Sequence, residues 1–73
     1  LHRLMAEREE RSVELRIGEA IYSAAVKISR MDGSLINVKA EFEDCRRIAD
    51  VTGIPLRMVI KRVEEEGWRA ADL

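Results

Sequence analysis

The spacing of apolar residues changes at Glu41, and this change constrains the fold more than any other feature of the sequence. Before Glu41, apolar and polar residues alternate, as they do in strands that bury one face. After it, apolar residues such as Phe42, Cys45 and Ile48 recur every three or four positions, as on one face of a helix. This order predicts strands followed by helices, which is an α+β domain.

Three strands are predicted before the change. Residues 13–17, 22–28 and 35–38 carry the apolar side chains of the three alternating stretches. A Gly-Glu pair separates the first two stretches, and an Asp-Gly pair, which tolerates positive φ, separates the last two. Because the connections are this short, we predict a three-stranded antiparallel meander.

Two amphipathic helices are predicted after the strands. The first carries an apolar stripe from Phe42 to Thr52, and Gly53 is expected to end it in a left-handed conformation. Pro55 suits the first position of the second helix, whose stripe is expected to end at Gly67. We predict that both helices pack on one face of the meander, which gives a two-layer α+β sandwich.

The expected organisation is one domain over residues 12–69. Residues 1–11 are charged and form either a strand that runs into the first one or a frayed lead-in from a longer parent chain, and residues 70–73 are a tail. If residues 1–11 add a strand, the fold approaches a ferredoxin-like sandwich. A chain of 73 residues has a small core and here leaves a sheet edge bare, so we predict a homo-oligomer.

Charge and composition argue against several classes of protein. The 13 Lys and Arg residues nearly balance the 14 Asp and Glu residues, so the basic surplus of a nucleic-acid-binding protein is missing. No apolar run approaches the roughly 20 residues that span a bilayer, and we expect no signal peptide. A single cysteine suits a reducing compartment. We predict a cytoplasmic protein without membrane or nucleic-acid partners.

The sequence contains no complete catalytic site. His2 is the only histidine and lies at the end of the chain. Cys45 falls on the apolar stripe of the first helix, which is more typical of a small core residue than of a nucleophile. There is no zinc-ligand spacing and no glycine-rich phosphate loop. We therefore predict no catalytic residue.

A cluster of charged residues stands where the third strand meets the first helix. Glu41, Glu43 and Asp44 have the oxygen ligands that a hard divalent cation prefers. Basic residues that could hold phosphates, helped by the N–H groups of the first helical turn, are Lys27, Lys39, Arg46 and Arg47. The alternative is that the acids only cap the helix and the basic side chains are solvated.

The two helices also resemble a helix-turn-helix, with a small Ala49 in the first and Gly53 in the turn. The second helix offers Arg57 and Arg62, but residues 64–66 are all glutamate and would repel a phosphate backbone. Because of the helix-turn-helix resemblance, a fragment of a transcriptional regulator is kept as an alternative function. A purely structural oligomerisation module is a further alternative.

Four motifs stand in order along the chain: V-K-I at 26–28, M-D-G at 31–33, I-N-V-K-A-E-F-E-D-C-R-R-I-A at 36–49 and T-G-I-P-L-R-M-V at 52–59. With them, most of the chain, from about residue 13 to residue 63, resembles the C-terminal part of the LarC family. Ala40 stands where the family usually has proline, and Phe42 where tyrosine is common.

The resemblance implies the C-terminal domain of a nickel insertion protein, a CTP-dependent nickel chelatase. Such proteins place nickel in a pyridinium bis-thiocarboxylate mononucleotide and so make the nickel-pincer cofactor of lactate racemase. The implied ligand is CTP with Mg²⁺ or Mn²⁺, and the implied roles are nucleotide binding and oligomer formation. Nickel handling is expected in the histidine-rich N-terminal part of the parent protein, so this fragment is expected to be inactive alone.

Overall fold

The computed structural model describes residues 6–71 as a three-stranded sheet followed by two helices. In chain order these are β1 (Ala6–Ile17), β2 (Ala20–Met31), β3 (Ser34–Ala40), α1 (Phe42–Thr52) and α2 (Leu56–Ala71). The predicted α+β meander with two helices is confirmed. Neither α1 nor α2 has the length and apolar character that crossing a membrane requires.

The sheet is a simple antiparallel meander in the order β1-β2-β3. Val13 of β1 lies opposite Ala24 of β2, and Ile28 of β2 lies opposite Val38 of β3. The β2–β3 turn has positive φ at both Asp32 (52°) and Gly33 (79°). This conformation matches the twist of the flanking strands and explains the Asp-Gly pair.

Residues 6–11 continue β1 without a break and pair with the second half of β2. Of the two possibilities for this segment, the structure therefore has the strand that runs into the first one. Within residues 6–71 the segment adds no fourth strand, so the described sheet has three strands. The rest of the lead-in, residues 1–5, and the last two residues of the tail lie outside the described residues.

The two faces of the sheet differ because the strands alternate apolar and polar side chains. The inner face packs against the helices, and the outer face is mostly polar and carries no layer of its own in the described part of the chain. Among the residues whose burial the structure describes, 7–71, the core side chains are all apolar: Val13, Leu15, Ala24, Val26, Ile28, Val38, Ala40, Cys45, Ile48, Val59 and Val63.

Helix α2 lies across the inner face of the sheet and buries Val59, Val63 and Gly67. The prediction that Gly67 ends the helix is wrong, because α2 continues to Ala71. Gly67 is instead the point of closest approach to the sheet. A Cβ atom there would lie only 2.6 Å from Cγ1 of Val38 and 3.2 Å from Cγ1 of Val26.

Two arginines from the sheet hold the C-terminal end of α2. Arg11 Nη1 donates to the Ala70 carbonyl at 2.8 Å, and Arg30 Nη2 donates to the Ala71 carbonyl at 3.2 Å. These carbonyls have no partner within the helix, and positive charge is favoured at this end of the helix dipole. Glu9 lies between the two guanidinium groups, and the hydrogen bond from Arg30 lowers the pKa of its carboxyl.

Helix α1 covers the edge of β2 beyond the end of β3. The Glu41 N–H donates to the Ala25 carbonyl at 2.9 Å, so the chain turns into α1 directly at the last rung of the sheet. Cys45 and Ile48 face the core. The predicted left-handed end at Gly53 is confirmed, with φ 76° and its N–H bonded to the Ala49 carbonyl.

Candidate functional site

The uncovered outer face of the sheet is the candidate site. Lys27 and Lys39 lie directly opposite each other on β2 and β3, and both are exposed. They border an open depression of about 570 Å³. The residues that line it come from all three strands and are Arg8, Glu9, Glu10, Lys27, Ser29, Asn37 and Lys39.

The lysine pair is unfavourable in the isolated sheet. Like charges directly opposite each other on neighbouring strands destabilise the pairing. On one side of the pair, Glu10 lies opposite Lys27 on β1, and Glu41 Oε2 lies 3.9 Å from Lys27 Nζ. Because that contact is long and 66% of the Lys27 side chain is exposed, it fixes the ammonium group only weakly. Lys27 and Lys39 are therefore free to turn toward an anion.

Further hydrogen-bonding groups lie next to the lysines. Ser29 lies opposite Asn37 on the same face, one alternation further along the strands, and Arg8 lies opposite Ser29 on β1. A hydroxyl, an amide and a guanidinium group can all donate to phosphate or sugar oxygens. The lining of the depression therefore combines three basic side chains and two neutral donors with the carboxylates of Glu9 and Glu10.

Asp44 has a structural role in the described chain. Its Oδ2 accepts the backbone N–H of Ala25 at 2.8 Å, and its Oδ1 accepts from Arg47 at 3.2 Å. Because β3 ends at Ala40, opposite Val26, the carboxylate of Asp44 takes the place of the next strand residue at the edge of β2. Both of its oxygens are already engaged.

Glu41 and Glu43, the other two predicted cation ligands, take no part in the hydrogen bonds of Asp44. Glu41 precedes α1 without a side-chain capping bond and lies near Lys27, while Glu43 is exposed in the first turn of α1. Among residues 6–71, no three His, Cys, Asp or Glu side chains come together in a group that could hold a metal ion. The cation site at Glu41, Glu43 and Asp44 stays a prediction, and the geometry of one chain does not fit it.

The two predicted arginines lie on α1 rather than on the outer face. Arg47 donates to Asp44 and, at 3.2 Å, to the Ser23 carbonyl, so it helps to attach α1 to the edge of β2. Arg46 is exposed on α1 and does not line the depression. Of the four predicted phosphate ligands, the structure brings Lys27 and Lys39 together, and the two arginines stand apart from them.

Cys45 is buried within the core, as its place on the apolar stripe predicted. Loss of solvation on burial raises the pKa of its thiol, and the negative charges of Asp44, Glu64 and Glu41 raise it further. A thiol that is both buried and protonated is a poor nucleophile. The structure gives Cys45 a packing role.

The sequence interpretation missed Arg8, Ser29 and Asn37 as members of the site. A signal was present for Arg8, because strands joined by a tight turn have a nearly fixed register. Counting back from the Gly-Glu turn places Arg8 opposite Ser29, as the structure does. Counting back from the Asp-Gly turn instead places Ser29 opposite Ile36. A β-bulge between Ser29 and Arg30 shifts the β2–β3 register by one residue and so brings Asn37 opposite Ser29 and Lys39 opposite Lys27. The interpretation searched along the chain instead of across the strands.

Comparison with known proteins agrees with the resemblance in the motifs. The family model described as "Nickel insertion protein" matches residues 1–60. A protein of Methanosarcina barkeri whose name refers to nickel insertion is 49% identical over 65 residues, which are 88% of this chain and 16% of that protein. A similarly named protein of Methanothrix thermoacetophila is 45% identical over 71 residues, 97% of this chain and 17% of that protein.

A third relative has a more specific name. The pyridinium-3,5-bisthiocarboxylic acid mononucleotide nickel insertion protein of Desulfitobacterium hafniense is 43% identical over 44 residues, which are 60% of this chain and 11% of that protein. No solved structure gives a significant match. The chain spans about one sixth of the length of the curated relatives that match most of it. Since the family model covers most of the sequence, the chain belongs to the nickel insertion protein family.

Proposed function

We propose that this chain is the C-terminal, nucleotide-binding part of a nickel insertion protein, and that the outer face of its sheet binds the phosphates of CTP. Lys27 and Lys39 neutralise the phosphate charge, and Arg8, Ser29 and Asn37 supply further hydrogen bonds. The parent protein inserts nickel into a pyridinium bis-thiocarboxylate mononucleotide. Nickel, the cargo of that reaction, is held by other parts of the parent.

One observation carries the proposal: two lysines lie directly opposite each other on an open face. An anion that lies between the two ammonium groups removes their repulsion, and this relief adds to the free energy of binding. A phosphate group also accepts charge-assisted hydrogen bonds from both ammonium groups, and these are stronger than neutral ones. The volume of the depression, about 570 Å³, lies within the range of small-molecule sites.

The divalent cation is not part of this proposal. CTP is expected with Mg²⁺ or Mn²⁺ because of the family resemblance alone. Since Asp44 is engaged by Ala25 and Arg47, we assign no cation ligand to this chain. The proposal for the chain's own residues concerns phosphate recognition only.

Oligomer formation is the second part of the proposed function. In the described part of the chain the core contains 11 buried side chains, and both β1 and β3 present an edge of the sheet. Small domains of this kind gain stability when a second copy covers such an edge. An oligomer would also place several nucleotide sites in one assembly.

Titration of CTP into the chain, with and without Mg²⁺, tests nucleotide binding. We expect saturable binding to the wild-type chain and roughly tenfold weaker binding for Lys27→Gln or Lys39→Gln, because each loses a charge-assisted hydrogen bond. Lys61→Gln is the matched control, since it removes the same charge from the exposed face of α2. Inorganic triphosphate should compete with CTP.

Two results would contradict the proposal. Absence of saturable CTP binding to the wild-type chain would remove the nucleotide site from this part of the protein. Equal losses in all three variants would mean that net charge, and not the lysine pair, governs binding. The experiment should be repeated at two salt concentrations, because non-specific charge attraction is screened by salt.

A further inference from the structure

Strand β1 presents a long edge of the sheet that nothing covers in the described part of the chain. It has 12 residues, and the backbone hydrogen bonds that its neighbours supply come from β2. Long unpaired edges tend to pair with another chain. The partner that fits this edge can be argued from its side chains.

The edge is highly charged, with both signs interspersed. Seven of the 12 residues in β1 are charged: Glu7, Arg8, Glu9, Glu10, Arg11, Glu14 and Arg16. An arbitrary apolar strand would leave these charges without partners, so the edge disfavours unspecific pairing. A strand with the complementary pattern of charges would be accepted. The sequence of β1 itself supplies such a pattern.

Most ways of pairing two copies of β1 about a two-fold axis place like charges opposite each other. In a two-fold antiparallel pair, the residue at the axis faces its own copy. Axes at Arg8, Glu9, Glu10, Arg11 or Glu14 therefore each bring two identical charges together. An axis at Ser12 is also unfavourable, since it places Arg8 opposite Arg16 and Glu10 opposite Glu14.

The register centred on Val13 has no such conflict. It pairs the span from Glu9 to Ile17 with its own copy and places Glu10 opposite Arg16 at two symmetric positions. Val13 faces Val13 at the axis on the inner side of the sheet. A register centred on Leu15 also avoids like charges, but its overlap is shorter, from Val13 to Ile17. Pairing energy grows with overlap, so the Val13 register is favoured.

The surroundings of Val13 leave room for a second strand. A groove of about 350 Å³ runs between β1 at Ser12–Glu14 and α2 at Glu66–Ala70. Glu10 and Arg16 are both exposed, and within residues 6–71 neither takes part in an ion pair. Their charges are available to a partner.

We propose that two copies of the chain pair β1 to β1, antiparallel and centred on Val13, and so form a continuous six-stranded sheet. The proposal rests on the oligomer in the proposed function and adds its surface and its register. The outer faces of the two copies lie side by side in this sheet. The symmetric Glu10–Arg16 pairs fix the register.

Charge reversal tests the register, with the dimer dissociation constant measured by sedimentation equilibrium. Glu10→Arg and Arg16→Glu each turn two attractive pairs into repulsive ones, so each should weaken the dimer roughly tenfold. The double variant restores opposite charges and should recover most of the wild-type affinity. Arg57→Glu is the matched control, because it makes the same charge reversal at an exposed position of α2, outside β1 and outside the lining of the depression.

The outcomes separate this inference from the proposed function. A chain that stays monomeric at every concentration overturns both the oligomer and the β1 pairing. An oligomer that neither single variant weakens, or that the double variant fails to restore, overturns the β1 register while the oligomer stands. CTP binding is measured independently, and its failure would contradict the nucleotide site without bearing on the register.

Discussion

Gly67→Ala is the substitution for which the structure gives the clearest quantitative expectation. In an exposed helix interior, alanine is about 1 kcal/mol more favourable than glycine. At Gly67 the new Cβ would lie 2.6 Å from Val38 Cγ1, far inside the roughly 3.5–4.0 Å at which carbon atoms attract. Val38 is only 4% exposed and branched at Cβ, so its methyl group cannot simply rotate away.

The gain in helix propensity and the cost of overpacking have opposite signs. The distance of 2.6 Å between the new Cβ and Val38 Cγ1 indicates that overpacking is the larger effect. Overpacking a core costs about 1–3 kcal/mol, and a clash of this size with a stiff side chain lies at the upper end. After the gain in helix propensity is subtracted, Gly67→Ala should destabilise the chain by about 1–2 kcal/mol. For a domain of this size, that lowers Tm by roughly 5–15 °C.

Urea denaturation at one fixed protein concentration measures this change. Glu65 is exposed on the same helix, so comparing Glu65→Ala with Glu65→Gly gives the propensity difference in α2 without a clash. Val38→Ala removes the methyl group that the new Cβ meets. In that background Gly67→Ala should become neutral or stabilising, a coupling that a double-mutant cycle detects. If Gly67→Ala stabilises the wild-type chain by the full propensity difference, the close packing of α2 on the sheet is refuted.

Two further expectations concern charged side chains. Asp44→Ala leaves the Ala25 N–H without its acceptor and should cost about 1–3 kcal/mol in urea denaturation, whereas Asp50→Ala, an exposed site on the same helix, should stay within about 0.5 kcal/mol. Glu9 has a pKa below its ordinary value of 4.5, chiefly because of Arg30, so its contribution to stability is complete above pH 4.5 and is lost as the pH falls below it. Stability of Glu9→Gln should therefore fall less steeply than that of the wild type below pH 4.5, and identical slopes would exclude this role.

The architecture could be predicted from the sequence because local patterns decide it. Alternation in the strands, the Asp-Gly turn and the glycine that ends α1 all reflect short-range geometry, and each is found where it was expected. The error at Gly67 has a different origin. A glycine near the end of an apolar stripe usually marks a helix end, but here it permits contact with β3, a strand that is distant in the sequence.

The candidate site was only partly predictable for a similar reason. Lys27 and Lys39 were identified, whereas Arg8, Ser29 and Asn37 join them only through strand pairing. The acids at the start of α1 look like cation ligands when the sequence is considered alone. Which acceptor the Ala25 N–H uses depends on where β3 ends, and local sequence does not specify that.

The hydrogen bond from the Ala25 N–H to Asp44 Oδ2 makes the protection of one sheet amide depend on the docking of α1. A backbone N–H at the edge of β2 is protected by a side chain of a helix rather than by a neighbouring strand. When α1 detaches, this amide is exposed although every rung between β2 and β3 stays intact. Its hydrogen exchange therefore reports the docking of α1 separately from the opening of the β2–β3 rungs.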